Sequence, residues 1–115
     1  MATNSQIAFN PQGKTVVVAA AGTAPAGIQA PVANGQTAAG QFRIVNAGTV
    51  TVFLGVGPTA ATAQANAVAP VAGIPSDAIV LVPGAVEILR FGAEAFFSGL
   101  ASAAATVYIT PGQGL

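Results

Sequence analysis

The chain has 115 residues, of which 53% are hydrophobic and only 5% are charged, and its formal net charge is zero. An average soluble domain carries about 25% charged residues. Disordered chains are poor in apolar residues, so this composition predicts a folded chain with the length of one domain. The few cations are scattered and form no basic cluster. We therefore expect neither a nucleic acid nor an anionic membrane surface as a partner.

The low charge also has a consequence for the protein surface. Soluble monomers usually carry a mixed charged surface and a net charge of a few units, which keeps copies apart. Here the surface must consist largely of small neutral residues with a large apolar fraction. The sequence predicts that much of it is buried against copies of the chain or against another protein. The alternative is a monomer with a neutral polar surface.

Two segments near the start of the chain are typical of strands. Residues 15–20 are a β-branched run that follows the turn-like residues 10–13. Residues 28–32 could add a short strand, which Pro25 and Pro31 restrict to a sheet edge or an extended loop.

The strongest local signal lies between Phe42 and Val56. A strand-like run at 42–45 leads through Asn46-Ala47-Gly48 into a second run at 49–56, which predicts a β-hairpin. Alternate residues of the second run form an aliphatic face that we expect to be buried, namely Val50, Val52, Leu54 and Val56.

Residues 59–69 are rich in alanine but contain no stripe of large apolar residues. One or two helical turns are possible there, since alanine favours helix. We interpret the segment instead as a long, flat loop that packs on a neighbouring subunit.

The second half of the chain contains another hairpin pattern and a final strand. Residues 78–82, the turn Pro83-Gly84 and residues 85–91 predict the second hairpin. Residues 105–110 predict a last strand, which we expect Pro111-Gly112 to end.

These patterns amount to roughly six to eight short strands separated by turns. The predicted fold class is all-β, a small antiparallel β-sandwich or jelly-roll-like barrel with long Ala/Gly/Pro-rich loops. We expect one domain over residues 1–115, with an extended N-terminal arm at 1–13.

The sequence contains no histidine and no cysteine. The usual general base, the thiolate nucleophile and the commonest metal ligands are therefore absent. We predict that the chain is not an enzyme, and we assign it no catalytic, cofactor-binding or metal-binding residue and no cofactor.

The residues that could take part in catalysis or ligand binding lie in sequence patterns that match the known motifs only weakly. Lys14 lies in a Gly-Lys-Thr tripeptide without the earlier glycine of a P-loop. Gly55-Val56-Gly57 lacks the third glycine of a dinucleotide fingerprint and is interpreted as a strand end with a tight turn. Glu87 and Glu94 are conceivable as paired carboxylates, and Asp77 is expected to make a local turn or capping bond.

Arg43 and Arg90 each lie within an apolar strand pattern, where a charge is costly to bury alone. We expect them to pair with Glu87 or Glu94, within or between subunits. Phe96-Phe97 is either part of the core or an aromatic anchor at an interface.

No stretch of the sequence is typical of a membrane span, because glycine and proline interrupt the charge-free segment from Ile44 to Ser76. Residues 1–6 lack the basic start and apolar region of a secretory signal, so none is predicted.

Three motifs resemble a known class of proteins. The pattern FRIVN-x-GT-x-x-VF-x-G-x-G at 42–57, the strand PGAVEILRF and the closing ATVYITPGQGL are similar to small structural proteins of tailed bacteriophages. The resemblance implies a virion component, above all a capsid decoration (cement) protein made in the host cytoplasm and placed on the capsid exterior. It implies as partners the major capsid protein and copies of the chain itself, as a dimer or trimer, and it carries over no catalytic residue.

Within that hypothesis, we expect the segments 1–13, 21–40 and 59–75 to reach across subunit boundaries and clamp neighbouring capsid subunits. The alternative is a head-fibre or tail-associated β-domain that binds a receptor or glycan. That role ranks lower, because the chain has no tryptophan, one tyrosine and few carboxylates.

Overall fold

The computed structural model describes residues 9–30, 40–92 and 94–113. Within these ranges the chain forms two antiparallel sheets and one short helix, an all-β sandwich as predicted. The strands are β1 (Asn10–Pro11), β2 (Val16–Ala20), β3 (Ile28–Gln29), β4 (Gln41–Asn46), β5 (Val52–Gly57), β6 (Ile79–Leu81), β7 (Val86–Arg90), β8 (Phe96–Ala101) and β9 (Ala105–Gln113), and the helix is α1 (Ala60–Asn66).

Two layers build the sandwich. Sheet I has the strand order β1–β9–β4–β7, and β2 also pairs with β9. Sheet II has the order β3–β8–β5–β6. The strand at 16–20 and the short edge strand at 28–29 confirm two predictions, whereas residues 31 and 32 lie outside the described residues.

The core lies between the two sheets. Ile44 and Ile109 from sheet I and Val52 and Leu54 from sheet II are completely buried. The predicted burial of the aliphatic face of β5 is thereby confirmed at its two central positions. Three rings pack edge to face or tilted at one end of the core, with centroids 5.0 to 6.2 Å apart. They belong to Phe42, Phe91 and Phe97, so Phe97 is a core residue.

Both hairpin predictions are wrong. β4 belongs to sheet I and pairs with β7 and β9, whereas β5 belongs to sheet II and pairs with β6 and β8. In the same way β6 lies in sheet II and β7 in sheet I. Each predicted turn is therefore an arch that takes the chain from one sheet to the other. Local alternation identified the strands correctly, but it carries no information on which strand pairs with which.

Asn46 explains why the chain crosses over instead of turning back. It is fully buried at the end of β4. Its side-chain amide donates to the carbonyl oxygens of Val50, Leu81 and Val82 at 3.0, 2.9 and 3.2 Å, and its Oδ1 accepts from the Gly48 N–H at 3.0 Å. Its main chain bonds the second arch through Gly84 N–H and Ala85 C=O. One residue therefore holds both arches.

The prediction of a flat loop at 59–69 is wrong, because residues 60–66 form helix α1 on the outer side of sheet II. Thr59 caps the helix, its hydroxyl accepting from the Thr62 N–H at 3.1 Å. The helix is anchored by small side chains: Ala63 is fully buried, and Ala67 just beyond the helix is 3% exposed. An anchor made of alanines is invisible to a search for a stripe of large residues.

The final strand is longer than predicted, since β9 continues through Pro111 and Gly112 to Gln113. Ala47 N–H donates to Thr106 C=O, so the hydrogen-bonded pairs between β4 and β9 include Arg43–Thr110 and Gln41–Gly112. Pro111 lies between those pairs, where the ladder to β4 needs no donor. A proline is therefore tolerated inside this strand.

Two strands were absent from the sequence-based expectations. β8 contains Ser98 and Gly99 among its apolar residues, which weakened the strand pattern. β1 pairs with β9 of the same chain, so the described part of the predicted arm is docked rather than extended outward. Residues 1–8 of that arm lie outside the described residues.

Candidate interaction surface

The outer face of sheet II is covered by the chain itself around Gly55, Gly57 and Ser98, whereas Val80 at its edge is 51% exposed. α1 lies over Gly55 and Gly57 of β5, and a Cβ atom added to Gly55 would collide with the Ala63 carbonyl oxygen. The segment before β3 completes the cover, since Gly27 N–H donates to Ala60 C=O at 3.2 Å. Ser98 beneath it is fully buried and donates to Pro25 C=O at 2.6 Å. Small residues allow this close approach of backbone to sheet.

The outer face of sheet I is built from larger residues, and none of the described segments covers it. The strand registers place Val17 opposite Tyr108, Tyr108 opposite Val45, and Val45 opposite Val86. These residues form one row across four strands, which we call the apolar row. Val17 is 48%, Tyr108 42% and Val86 50% exposed. Aromatic and β-branched side chains thus face outward side by side where a polar surface is the usual arrangement.

The neighbouring row of sheet I is more polar and contains one charge. Thr15 and Thr110 share a hydrogen bond between their hydroxyls of 2.7 Å. Arg43 lies between Thr110 and Ile88 in the register and is exposed. Among the described residues Arg43 has no ion-pair or hydrogen-bond partner. Glu87 lies opposite Ile44, on the other face of the sheet, so the predicted pair between Arg43 and Glu87 is wrong within one chain.

A second exposed apolar feature follows α1. Residues 70–75 form a tight turn, which we call the apolar turn, with Val71 and Ile74 at 61% and 64% exposure. The turn is closed by a 3.0 Å hydrogen bond from Ile74 N–H to Val71 C=O. Gly73 has φ of +82°, the left-handed conformation that glycine adopts easily, and Pro70 and Pro75 flank the turn. The two side chains are therefore presented on a stiff backbone.

The other candidates from the sequence are dispersed. Lys14 is exposed between β1 and β2, and Asp77 is exposed between the apolar turn and β6. The predicted local bond after Ser76 is made by the serine hydroxyl, which accepts from the Ala78 N–H at 3.1 Å. Gly55 and Gly57 lie under α1, which gives their small size a packing reason.

Two clefts accompany these features. One, of about 370 Å³, is lined by Phe91 and Glu94 with apolar neighbours from the end of β5. The other, of about 390 Å³, lies beside the apolar turn and includes Asp77. Glu87 lines neither cleft, so the structure does not bring Glu87 and Glu94 together there. Within the described ranges, no three side chains of the metal-ligating types cluster.

Sequence reasoning predicted an apolar surface but did not locate it. The alternation in β2, β4 and β9 was visible, yet it does not tell which of two apolar faces a strand buries. The described part of the chain contains no helix with the length and apolar character needed to cross a membrane.

Comparisons with protein-family models, with curated proteins and with solved structures find no significant match for this chain.

Proposed function

We propose that this chain is a structural subunit that works in many copies, packed against other protein subunits through the outer face of sheet I. Of such proteins, a capsid decoration protein of a tailed bacteriophage is the one that its motifs resemble. The proposed location is the capsid exterior, with the major capsid protein and further copies of the chain as partners.

The observation that carries the proposal is the contrast between the two outer faces of one sandwich. The chain covers the part of sheet II around Gly55 and Gly57 with its own helix but leaves the row of Val17, Tyr108 and Val86 about half exposed on sheet I. A contiguous apolar patch on a protein surface often marks a site where another protein binds. With three cations and three anions in the whole chain, charge repulsion does little to keep copies apart.

The test uses the purified chain and capsid shells assembled from the major capsid protein of the same genome. Co-sedimentation at stoichiometric copy number is the expected result. Tyr108→Ser should weaken binding to the shells by about tenfold or more, because a buried tyrosine is a frequent anchor of interfaces. Val80→Ser is the matched control, since Val80 is 51% exposed but lies on sheet II.

Two results would contradict the proposal. A chain that stays in the supernatant at all shell concentrations has no decoration role, and binding to a glycan array instead would favour the fibre or receptor-binding alternative. Equal binding by the wild type and Tyr108→Ser would show that the apolar row is not the contact surface.

A further inference from the structure

We infer that the apolar turn of one copy packs on the apolar row of the next copy, so that the subunits associate head to tail. This inference rests on the proposed function for the use of the sheet I face, and it names a second copy of the chain as the occupant of that face. Tyr108→Ser then weakens binding to the shells by removing the contact between neighbouring copies. The proposed contact joins Val71 and Ile74 of one molecule to the row of Val17, Tyr108, Val45 and Val86 on its neighbour.

Because of its position in the fold, the apolar turn can contact the apolar row only of a second molecule. The apolar turn follows α1 on the outer side of sheet II and leads into β6, an edge strand of that sheet. The apolar row lies on the outer face of sheet I, across the core. A turn and a face on opposite layers of one sandwich cannot meet within a chain, so contact between them needs another copy.

The shapes of the two surfaces suit each other. The turn projects two aliphatic side chains from a backbone stiffened by Pro70, Pro75 and a closing hydrogen bond. The apolar row lies on a twisted sheet surface, and Tyr108 is its aromatic residue, with valines on either side. A stiff turn loses little conformational entropy on docking, which favours its use as an anchor.

The charges next to the two surfaces are opposite in sign. Asp77 lies three residues after Ile74, and Arg43 lies one row from Tyr108 on the receiving face. Neither has an ion-pair or hydrogen-bond partner in the part of the chain that the structure describes. A head-to-tail contact can bring Asp77 of one copy to Arg43 of the next, which would fix the orientation of the apolar contact.

The contact is heterologous, which separates it from a face-to-face dimer. A face-to-face dimer uses the same patch twice and closes at two copies, whereas a turn-to-face contact leaves one free turn and one free face. It therefore continues into a ring or an open array. Such growth suits a protein that covers an extended shell.

The decisive experiment measures mass by light scattering for the full chain without any capsid shell. The wild type should form oligomers whose mass rises with concentration. The double variant Val71→Ser with Ile74→Ser, and separately Tyr108→Ser, should each be monomeric. An equimolar mixture of the two variants should give a dimer that does not grow, because one variant retains the face and the other retains the turn. Val80→Ser should behave as the wild type.

The pair of charges is tested by exchange. Asp77→Arg and Arg43→Asp should each raise the dissociation constant by about two- to fivefold, as expected for an exposed ion pair. The variant with both substitutions should return to the wild-type value, and the difference should fade at high salt.

Several outcomes would overturn the inference. They are a monomeric wild type, an oligomer that survives both the turn and the face substitutions, and a mixture of the two variants that stays monomeric. Circular dichroism of each variant shows whether the fold is kept, and all the substituted positions are exposed. A chain that is monomeric alone but sediments with shells refutes only the head-to-tail contact. A head-to-tail oligomer that ignores shells refutes only the decoration role.

Discussion

The two outer faces of the sandwich differ in side-chain size and in what lies over them. On sheet II, Gly55 and Gly57 make room for a helix whose alanines reach the sheet backbone, and Ser98 lies beneath the segment before β3. On sheet I, Val17, Tyr108 and Val86 lie at the surface, with no such cover from the described part of the chain. The small residues lie at the part of sheet II that the chain covers itself, because large ones there would hold the helix away. Large apolar residues on the opposite face mark a surface left for another molecule.

The two outer faces form only if the chain crosses from one sheet to the other at both arches. Asn46 holds both arches through its hydrogen bonds. Asn46→Asp should lower the free energy of unfolding by about 3–5 kcal/mol, because a buried carboxylate would face the three carbonyl oxygens to which the amide now donates. Urea unfolding followed by circular dichroism measures this loss.

The pH dependence of the Asn46→Asp variant sharpens the same test. Burial raises the folded-state pKa of the new carboxyl above its unfolded value, so the destabilisation is present at neutral pH. It should decrease as the pH falls through the folded-state pKa and be smallest below about 4, where the group becomes protonated in both states. Asn46→Ala should be destabilised without this pH dependence, and a similar pH profile in both variants would contradict the assigned hydrogen bonds.

The packing of α1 on sheet II is tested by adding a methyl group beneath the helix. Gly55→Ala should lower the free energy of unfolding by about 2 kcal/mol, because the new Cβ would overlap the backbone at Ala63 and Ala67. Gly92→Ala is the matched control, since a Cβ at Gly92 meets nothing within 4 Å. Equal stability of the two variants would mean that α1 does not lie where the structure places it.

A substitution on the outer face of sheet I should change the free energy of unfolding least. Val17→Thr keeps the β-branched shape and changes an exposed position, so the free energy of unfolding should change by less than about 0.5 kcal/mol. The measurement is made at a concentration where the chain is monomeric. A loss of more than about 1 kcal/mol would indicate that Val17 is packed within its own chain.

Several elements of the fold were predictable from local pattern alone. The β-branched run at 16–20, the alternation at 52–56 and the all-β class follow from side-chain period and propensity. The pairing of those strands did not follow, because Asn46-Ala47-Gly48 and Pro83-Gly84 suit a hairpin turn as well as an arch between sheets. Helix α1 was missed for a related reason, since alanine at 63 and 67 becomes an anchor only opposite Gly55 and Gly57.

The sequence by itself determined that the chain folds into β-structure, that its surface carries few charges and that no histidine or cysteine chemistry is available to it. Composition and period are local properties, so they are readable before folding. The tertiary structure decided which of the apolar faces is covered and where the uncovered one lies. That choice depends on contacts between residues far apart in the chain, such as Asn46 with Leu81 and Gly55 with Ala63, and a strand's alternation is the same whichever side it buries.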